Sequence, residues 1–283
     1  MNLGYACINM TLSSQKPKVT TNRSMIKRTF EEKGIDYAGE LGLQNSADLI
    51  KILKWNKENN VNVFRLSSEF FPWASEYKFE DLPQYLRIKT LLAGCGHYAQ
   101  RNGIRLTCHP GPFNVLTSPH EHVVQNTLTD LRIHGEIFDM MGLERTPYNK
   151  INIHCNGVYG DKQSAMDRFC KNFERLPNSV KHRLTVENDD KASMYSVKDL
   201  MYIHERIGIP IVFDYHHHKF CTGDLSEQEA LELAISTWPK DIKPIVHYSE
   251  SKALHEGDEK VKPQAHSDYI NELPNLYGND VDV

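Results

Sequence analysis

Arg183-Leu184-Thr185-Val186-Glu187, a helical stretch Ser196–Ile207, and Pro210-Ile211-Val212-Phe213-Asp214 together decide the fold. The two apolar runs are too short for helices, each ends on a carboxylate, and one helix separates them. Strands joined through a single helix pair in parallel by a right-handed crossover. The same unit recurs in both directions along the chain. Apolar segments lie at Leu3–Ile8, Val61–Ser67, Ile104–His109, Lys150–Cys155, Arg183–Glu187, Pro210–Asp214 and Pro244–Tyr248. Helical periodicity marks Asp48–Trp55, with Ser46 as its expected cap, and His120–Met141, Ala165–Leu176, Ser196–Ile207 and Ser226–Thr237. The polar segment Gln15–Gly39 reads as a long loop with a short helix.

An open doubly wound sheet and a closed barrel both fit that alternation. The turn after the first strand, Cys7-Ile8-Asn9-Met10-Thr11, lacks the glycine pattern of a dinucleotide site. Strand parity favours the barrel. Leu106, Ile151, Ile153, Leu184, Val186, Ile211, Phe213 and Val246 share one parity and suit a helix-facing surface. Thr107, Asn152 and Thr185 share the other and suit a filled barrel interior. The expectation is an α/β fold, a single TIM-type (β/α) barrel domain over residues 1–283. Seven strands are visible, and Gly278–Val283 reads as an eighth that is cut off at the C-terminus, leaving the edges of strands one and seven open.

Composition narrows the function classes. With 33 Lys+Arg against 37 Asp+Glu, the net charge of -4 argues against a protein that coats nucleic acid by bulk charge. No apolar run is long enough to span a membrane, and Met1–Met10 carries no secretory pattern, so a cytoplasmic or nuclear protein is expected, not a secreted one. The six cysteines are scattered without a C-x-x-C pair and read as reduced thiols.

The 14 histidines are more informative. Five consecutive strands end in Cys108-His109-Pro110, Ile153-His154-Cys155, Val186-Glu187-Asn188-Asp189-Asp190, Phe213-Asp214-Tyr215-His216-His217-His218 and Val246-His247-Tyr248, and Gln264-Ala265-His266-Ser267-Asp268 follows. In a parallel barrel these ends converge on one rim, where carboxylates would repel one another. A divalent cation relieves that repulsion and takes imidazoles as neutral ligands. Mixed N and O donors suit manganese, zinc or iron. The donors are too many for one ion, so two or three are expected, polarising phosphate oxygens and binding the nucleophilic water of a phosphodiester displacement.

Several stretches resemble the ultraviolet-damage endonuclease family. They include Leu3-Gly4-Tyr5-Ala6-Cys7-Ile8-Asn9, Phe64-Arg65-Leu66-Ser67-Ser68, His109-Pro110-Gly111, Gly157-Val158-Tyr159-Gly160-Asp161-Lys162, Glu187-Asn188-Asp189-Asp190, Asp214-Tyr215-His216-His217 and His266-Ser267-Asp268. The resemblance runs from residue 3 to the end. It implies a barrel related to endonuclease IV and xylose isomerase-like enzymes that nicks damaged duplex DNA 5′ to the lesion with a metal cluster, often manganese. It makes His109, His154, Glu187, Asp214, His217, His247 and His266 metal ligands, with Glu187 bridging two ions. Tyr5 and Asn9 match the damage-binding groove. Phe113 is a candidate wedge between bases, or equally a buried loop anchor. The chain departs from the family at Pro112, where many members carry a probing Gln, at Glu76, which replaces a His, and at Ile245, which replaces a lysine; the family's last ligand, a Glu on strand eight, does not appear before Val283.

Two other functions fit the same residues. One is a metal-dependent sugar isomerase or epimerase, with a small closed pocket rather than an open basic groove. The other is a degenerate barrel that binds DNA without cutting. Lys16, Lys18, Arg23, Lys27, Arg28, Lys162 and Lys252 are candidate phosphate contacts, each with solvated surface as its plainer role. A monomer is expected.

Overall fold

The computed structural model describes residues 1–257 and 260–283. Six strands, β1 (Gly4–Ala6), β2 (Val63–Leu66), β3 (Arg105–Cys108), β4 (Ile151–His154), β5 (Leu184–Glu187) and β6 (Ile211–Val212), pair in parallel in sequence order. The register aligns Arg65 with Thr107 and Asn152 with Thr185, so residues of one parity form layers inside the ring. All eight aliphatic or aromatic positions of the other parity lie in the main core cluster against the helices. The architecture is thus α/β, as the strand parity implied.

Positions seven and eight of the ring differ from expectation. Pro244–Tyr248 forms no ladder strand; it pairs through single bridges, Asp214 with His247 and Ile245 with Asp282. The open edges are absent. Val246 N donates to Asp282 O and Asp282 N to Pro244 O, both at 2.9 Å, on one side. On the other side Gly4 N donates to Val283 O and Val283 N to Asn2 O, again at 2.9 Å. Residues 282–283 therefore pair with both neighbours and close the ring. So few residues suffice because backbone pairing needs only one or two residues on each side. The approach is tight: a Cβ on Gly4 would lie 2.3 Å from Val63 O.

The base of the ring is plugged. Val63, Val212, Trp238 and Ile245 form an apolar cluster, and Trp238 Nε1 donates to Ile211 O at 2.7 Å. Beside it the buried Arg105 pairs with Asp282 at 3.2 Å and donates to the carbonyls of Tyr148, Pro147 and Lys243. Every N–H of a buried guanidinium must find an acceptor, and here carbonyls supply most of them.

The helices correct the sequence reading in three places. Lys27–Glu58 is one helical element, kinked at Gly34, whose φ of 63° is open to glycine at no steric cost. Most of the stretch read as loop is therefore helical. Ser46 lies inside that helix and donates to Gly42 O rather than capping its start. Tyr85–Arg101 is a helix the periodicity reading missed, burying Ile88, Leu92, Cys95, Gly96 and Ala99. Its buried face includes Gly96 and Ala99, small residues that give little apolar contrast. Val197–Ile207 and Glu227–Ser236 match expectation, opened by Ser196 and Ser226 in capping boxes. All six cysteines are free. No helix among the described residues is long and apolar enough to cross a membrane.

Candidate metal centre

Glu187, at the end of β5, is 1% exposed and sits at the centre of the mouth. His247 Nδ1 lies 2.9 Å from its Oε2, His109 Nε2 3.2 Å from Oε2, His217 Nδ1 3.4 Å from Oε1 and His154 Nε2 3.9 Å from Oε1. Asn152, one layer below, donates to the same carboxylate. The parallel register causes this convergence: His154 aligns with Glu187, and Asp214 bridges to His247.

Asp214 shows how local sequence places two ligands at once. It caps the short helix Tyr215–His218 by accepting from His217 N at 2.9 Å, which puts His217 one turn on and returns its ring to the same side. Asn188 ties the two strand ends together by donating to Asp214 O and accepting from Asp214 N. His266 arrives from the loop after position seven, its Nε2 3.2 Å from His217 Nε2 and its Nδ1 2.6 Å from Ser249 Oγ. His109, His154 and Glu187 offer ligand atoms within 4.8 Å of one another, and so do Glu187, Asp214 and His217. These buried His, Glu and Asp groups could hold a metal ion.

The donor set fits a cation for a further reason. His109 Nδ1 lies 3.1 Å from Pro110 O and His217 Nδ1 2.9 Å from Asn188 O. A carbonyl only accepts, so each Nδ1 carries a hydrogen and each ring turns its Nε2 toward the cluster. In His109 the Nε2 faces a carboxylate oxygen, and in His217 it faces a second imidazole. Burial holds His109 down at about 4, against the pull of Glu187, so protonation does not relieve the clash near neutral pH. An ion between the donors does.

Burial and charge oppose each other at the carboxylates and at His154. Burial works to raise Glu187, but His247, His154 and His109 hold it well below the usual carboxylate range. Burial raises Asp214 to about 6. His154 is raised to about 9: burial opposes the charge, and Glu187 and Asp189 outweigh it.

All seven expected ligands thus gather at one mouth. The other expected site residues fare differently. Phe113 is 87% exposed, so it is no buried anchor. Asn9 is buried; its Oδ1 caps Met10–Ser13 and its Nδ2 donates to Tyr5 OH at 2.7 Å. Tyr5 in turn donates to Asn56 at 2.7 Å, and burial pushes its phenol up to about 12. Among the basic candidates, Arg23 is committed to Asp48 and to the carbonyls of Lys18 and Thr20, and Lys162 pairs with Asp199 at 3.0 Å. His216 and His218 are buried behind the cluster, with His216 Nε2 3.2 Å from Gln264 O.

Lys150 was missed. It is fully buried, its Nζ lies 2.9 Å from His247 Nε2, and burial pushes it down to about 7. Its signal was parity, since Lys150, Asn152 and His154 alternate along one inward face. Asp189, with Oδ1 3.2 Å from His154 Nδ1, stood in a quoted motif without a role.

These features place the chain among parallel (β/α) barrels whose mouth carries a His/Asp/Glu cluster able to hold metal. The chain belongs to the UV-endonuclease UvdE family, whose model matches residues 1–283. It is 37% identical over 281 residues to the UV-damage endonuclease of Schizosaccharomyces pombe, covering 96% of this chain and 46% of that relative. The chain thus spans about half the length of that curated relative. The crystal structure of SacUVDE superimposes with a TM-score of 0.82 at 33% identity, covering 96% of this chain and 86% of that one. A D-psicose 3-epimerase from Clostridium cellulolyticum H10 aligns with a TM-score of 0.55 at 12% identity over 88% of this chain and 73% of that one, a likeness of fold alone.

Proposed function

We propose that this chain is a metal-dependent endonuclease that hydrolyses a phosphodiester 5′ to ultraviolet photoproducts and other lesions in duplex DNA. One observation carries the reading: a buried carboxylate with imidazoles on both oxygens, two of which turn Nε2 toward the cluster. Family membership points the same way, and the sugar-epimerase likeness adds only fold. Two or three ions, manganese first with zinc or iron as alternatives, would be held by His109, His154, Glu187, Asp214, His217, His247 and His266. Bound divalent ions supply Lewis acidity toward phosphate oxygens and lower the pKa of water.

The residues themselves do the positioning. Glu187 spans the two ligand groups. Asn152 and the carbonyls of Pro110 and Asn188 fix the orientation of the carboxylate and the two rings, as outer partners of metal ligands do. Lys150 holds His247 from below. Phe113, exposed on the loop after His109, would test base stacking on this reading. Dimerised bases stack poorly and cost less to unstack than intact ones, so a wedge selects for deformability rather than sequence. The protein acts as a monomer in the cytoplasm or nucleus on this reading.

The test is gel cleavage of a duplex with one pyrimidine dimer, in Mn²⁺, beside the undamaged duplex. Nicking 5′ to the dimer with little cutting of the control is expected. Equal cutting of both removes the lesion specificity, and no metal uptake on loading removes the mechanism.

A further inference from the structure

Arg65 has no partner. Its side chain makes no hydrogen bond, ion pair or ring contact among the described residues, and its Nε is buried without an acceptor. Arg105 on β3 and Arg183, just before β5, are by contrast saturated by carboxylates and carbonyls. A guanidinium carries five N–H donors; here the side chain is half-buried, and leaving the buried Nε–H without an acceptor is costly unless a ligand takes it.

Its place is defined by register. Phe64 and Leu66 pack in the outer core, so Arg65 points into the barrel, level with Ala6 on β1 and Thr107 on β3. His109 stands two residues above Thr107. The candidate ligands come from positions three to seven of the ring, whereas positions one and two contribute Ala6 and Arg65 at this height, and Val283 at position eight pairs lower down, with Asn2 and Gly4. Ala6 is small and exposed, so this side of the mouth is open to solvent. Arg65 is close enough to add to the lowering of His109 and His247, behind the larger effect of burial.

We propose that Arg65 binds a phosphodiester of the substrate, taking its anionic oxygens with the guanidinium fork on the open side of the mouth, opposite Glu187. This rests on the nuclease reading. A fixed positive group beside a site for cations is repelled unless an anion lies between them, and a phosphate satisfies both sides at once. Guanidinium geometry matches two phosphate oxygens, which a lysine ammonium does not.

Arg65→Gln and Arg65→Lys, compared with the parent, test it by three readouts. The first is binding of inorganic phosphate to metal-free protein by ³¹P NMR titration, expected in the parent and lost in Arg65→Gln. The second is binding of the dimer-containing duplex against salt: Arg65→Gln should weaken it roughly 10–100-fold, the loss expected of a hydrogen bond to a charged group, and lower the salt slope by about one phosphate contact. Arg65→Lys should restore the slope but only part of the affinity. The third is metal content after loading, expected to be unchanged.

If the parent cuts damaged duplex and Arg65→Gln matches it in affinity and slope, the Arg65 assignment is wrong and the nuclease reading stands. If phosphate binding depends on Arg65 but no duplex is cut, the anion site stands and the nuclease reading falls. Loss of metal from Arg65→Gln would make Arg65 a builder of the cluster and overturn the assignment.

Discussion

At the base of the barrel the Arg105 guanidinium meets Asp282 at 3.2 Å and three backbone carbonyls, whereas at the mouth the Glu187 carboxylate meets four imidazoles and an amide with no Lys or Arg in ion-pair range among the described residues. The first arrangement is complete in itself: opposite charge, carbonyl acceptors and an apolar plug of Val63, Val212, Trp238 and Ile245. The second has ligand atoms to spare. Removing a part of the base should cost stability, and removing a part of the mouth should cost ligand. That division follows the general partition of parallel barrels, with stability at the N-terminal face and chemistry at the C-terminal face.

The comparison breaks most sharply at Glu187. Glu187→Gln should abolish cutting and strip at least one ion, while the metal-free fold melts as the parent does. Elemental analysis with thermal denaturation of the metal-free protein measures both, and a Glu187→Gln protein that keeps its full metal complement would contradict the bridging role.

Asp282→Ala should do the reverse. It leaves Arg105 buried without its carboxylate, at a cost of about 3–5 kcal/mol. Denaturant unfolding reads the loss; a change below about 1 kcal/mol would mean that the carbonyls alone suffice.

Lys150→Met sharpens the boundary between the two regions, since Lys150 lies between base and mouth. His247 loses the group at its Nε2, and metal affinity should fall roughly 10–100-fold, as for other outer partners of metal ligands. Stability should hold or rise, because a buried amine without an ion-pair partner among the described residues is gone. Competition with a metal indicator decides it; unaltered affinity would confine Lys150 to packing.

The smallest effect lies away from both ends. Burial works to raise Asp48, but Lys51 and Arg23 outweigh it and hold the carboxylate below its usual range. A depressed carboxylate stabilises the fold above its unfolded pKa, and that contribution disappears as pH falls through the folded value. Asp48→Asn should therefore cost about 2 kcal/mol near neutral pH and progressively less below about pH 4. A deficit independent of pH would show that packing, not charge, is at work.

The rim was legible in the sequence because its signal is chemical: His109, His154, Glu187, Asp214 and His247 each stand where an apolar run stops, and parity settles the face. Arg65 and Lys150 obey the same parity, but lysine and arginine on a strand ordinarily read as surface, so only the burial of Lys150 and of the unpaired Arg65 Nε shows their role. The helix Lys27–Glu58 was legible only in its second half, where Leu49, Ile52 and Leu53 are buried; the first turns are polar and half-exposed, and tertiary support sets their state. Closure by residues 282–283 could not be read, because so short a pairing has no periodicity.

That closure also sets an order of events. Asn2 and Gly4 are made some 280 positions before their partners, Asp282 and Val283. During synthesis β1 waits with one edge unsatisfied while the rest of the ring assembles, and the closing pairing spans a separation of 280 residues. Contacts of that separation are slow to form and leave strand edges open to other chains in the meantime. A ribosome that stalls before residue 282 would release a barrel with every candidate metal ligand present and its first strand still unpaired on one side.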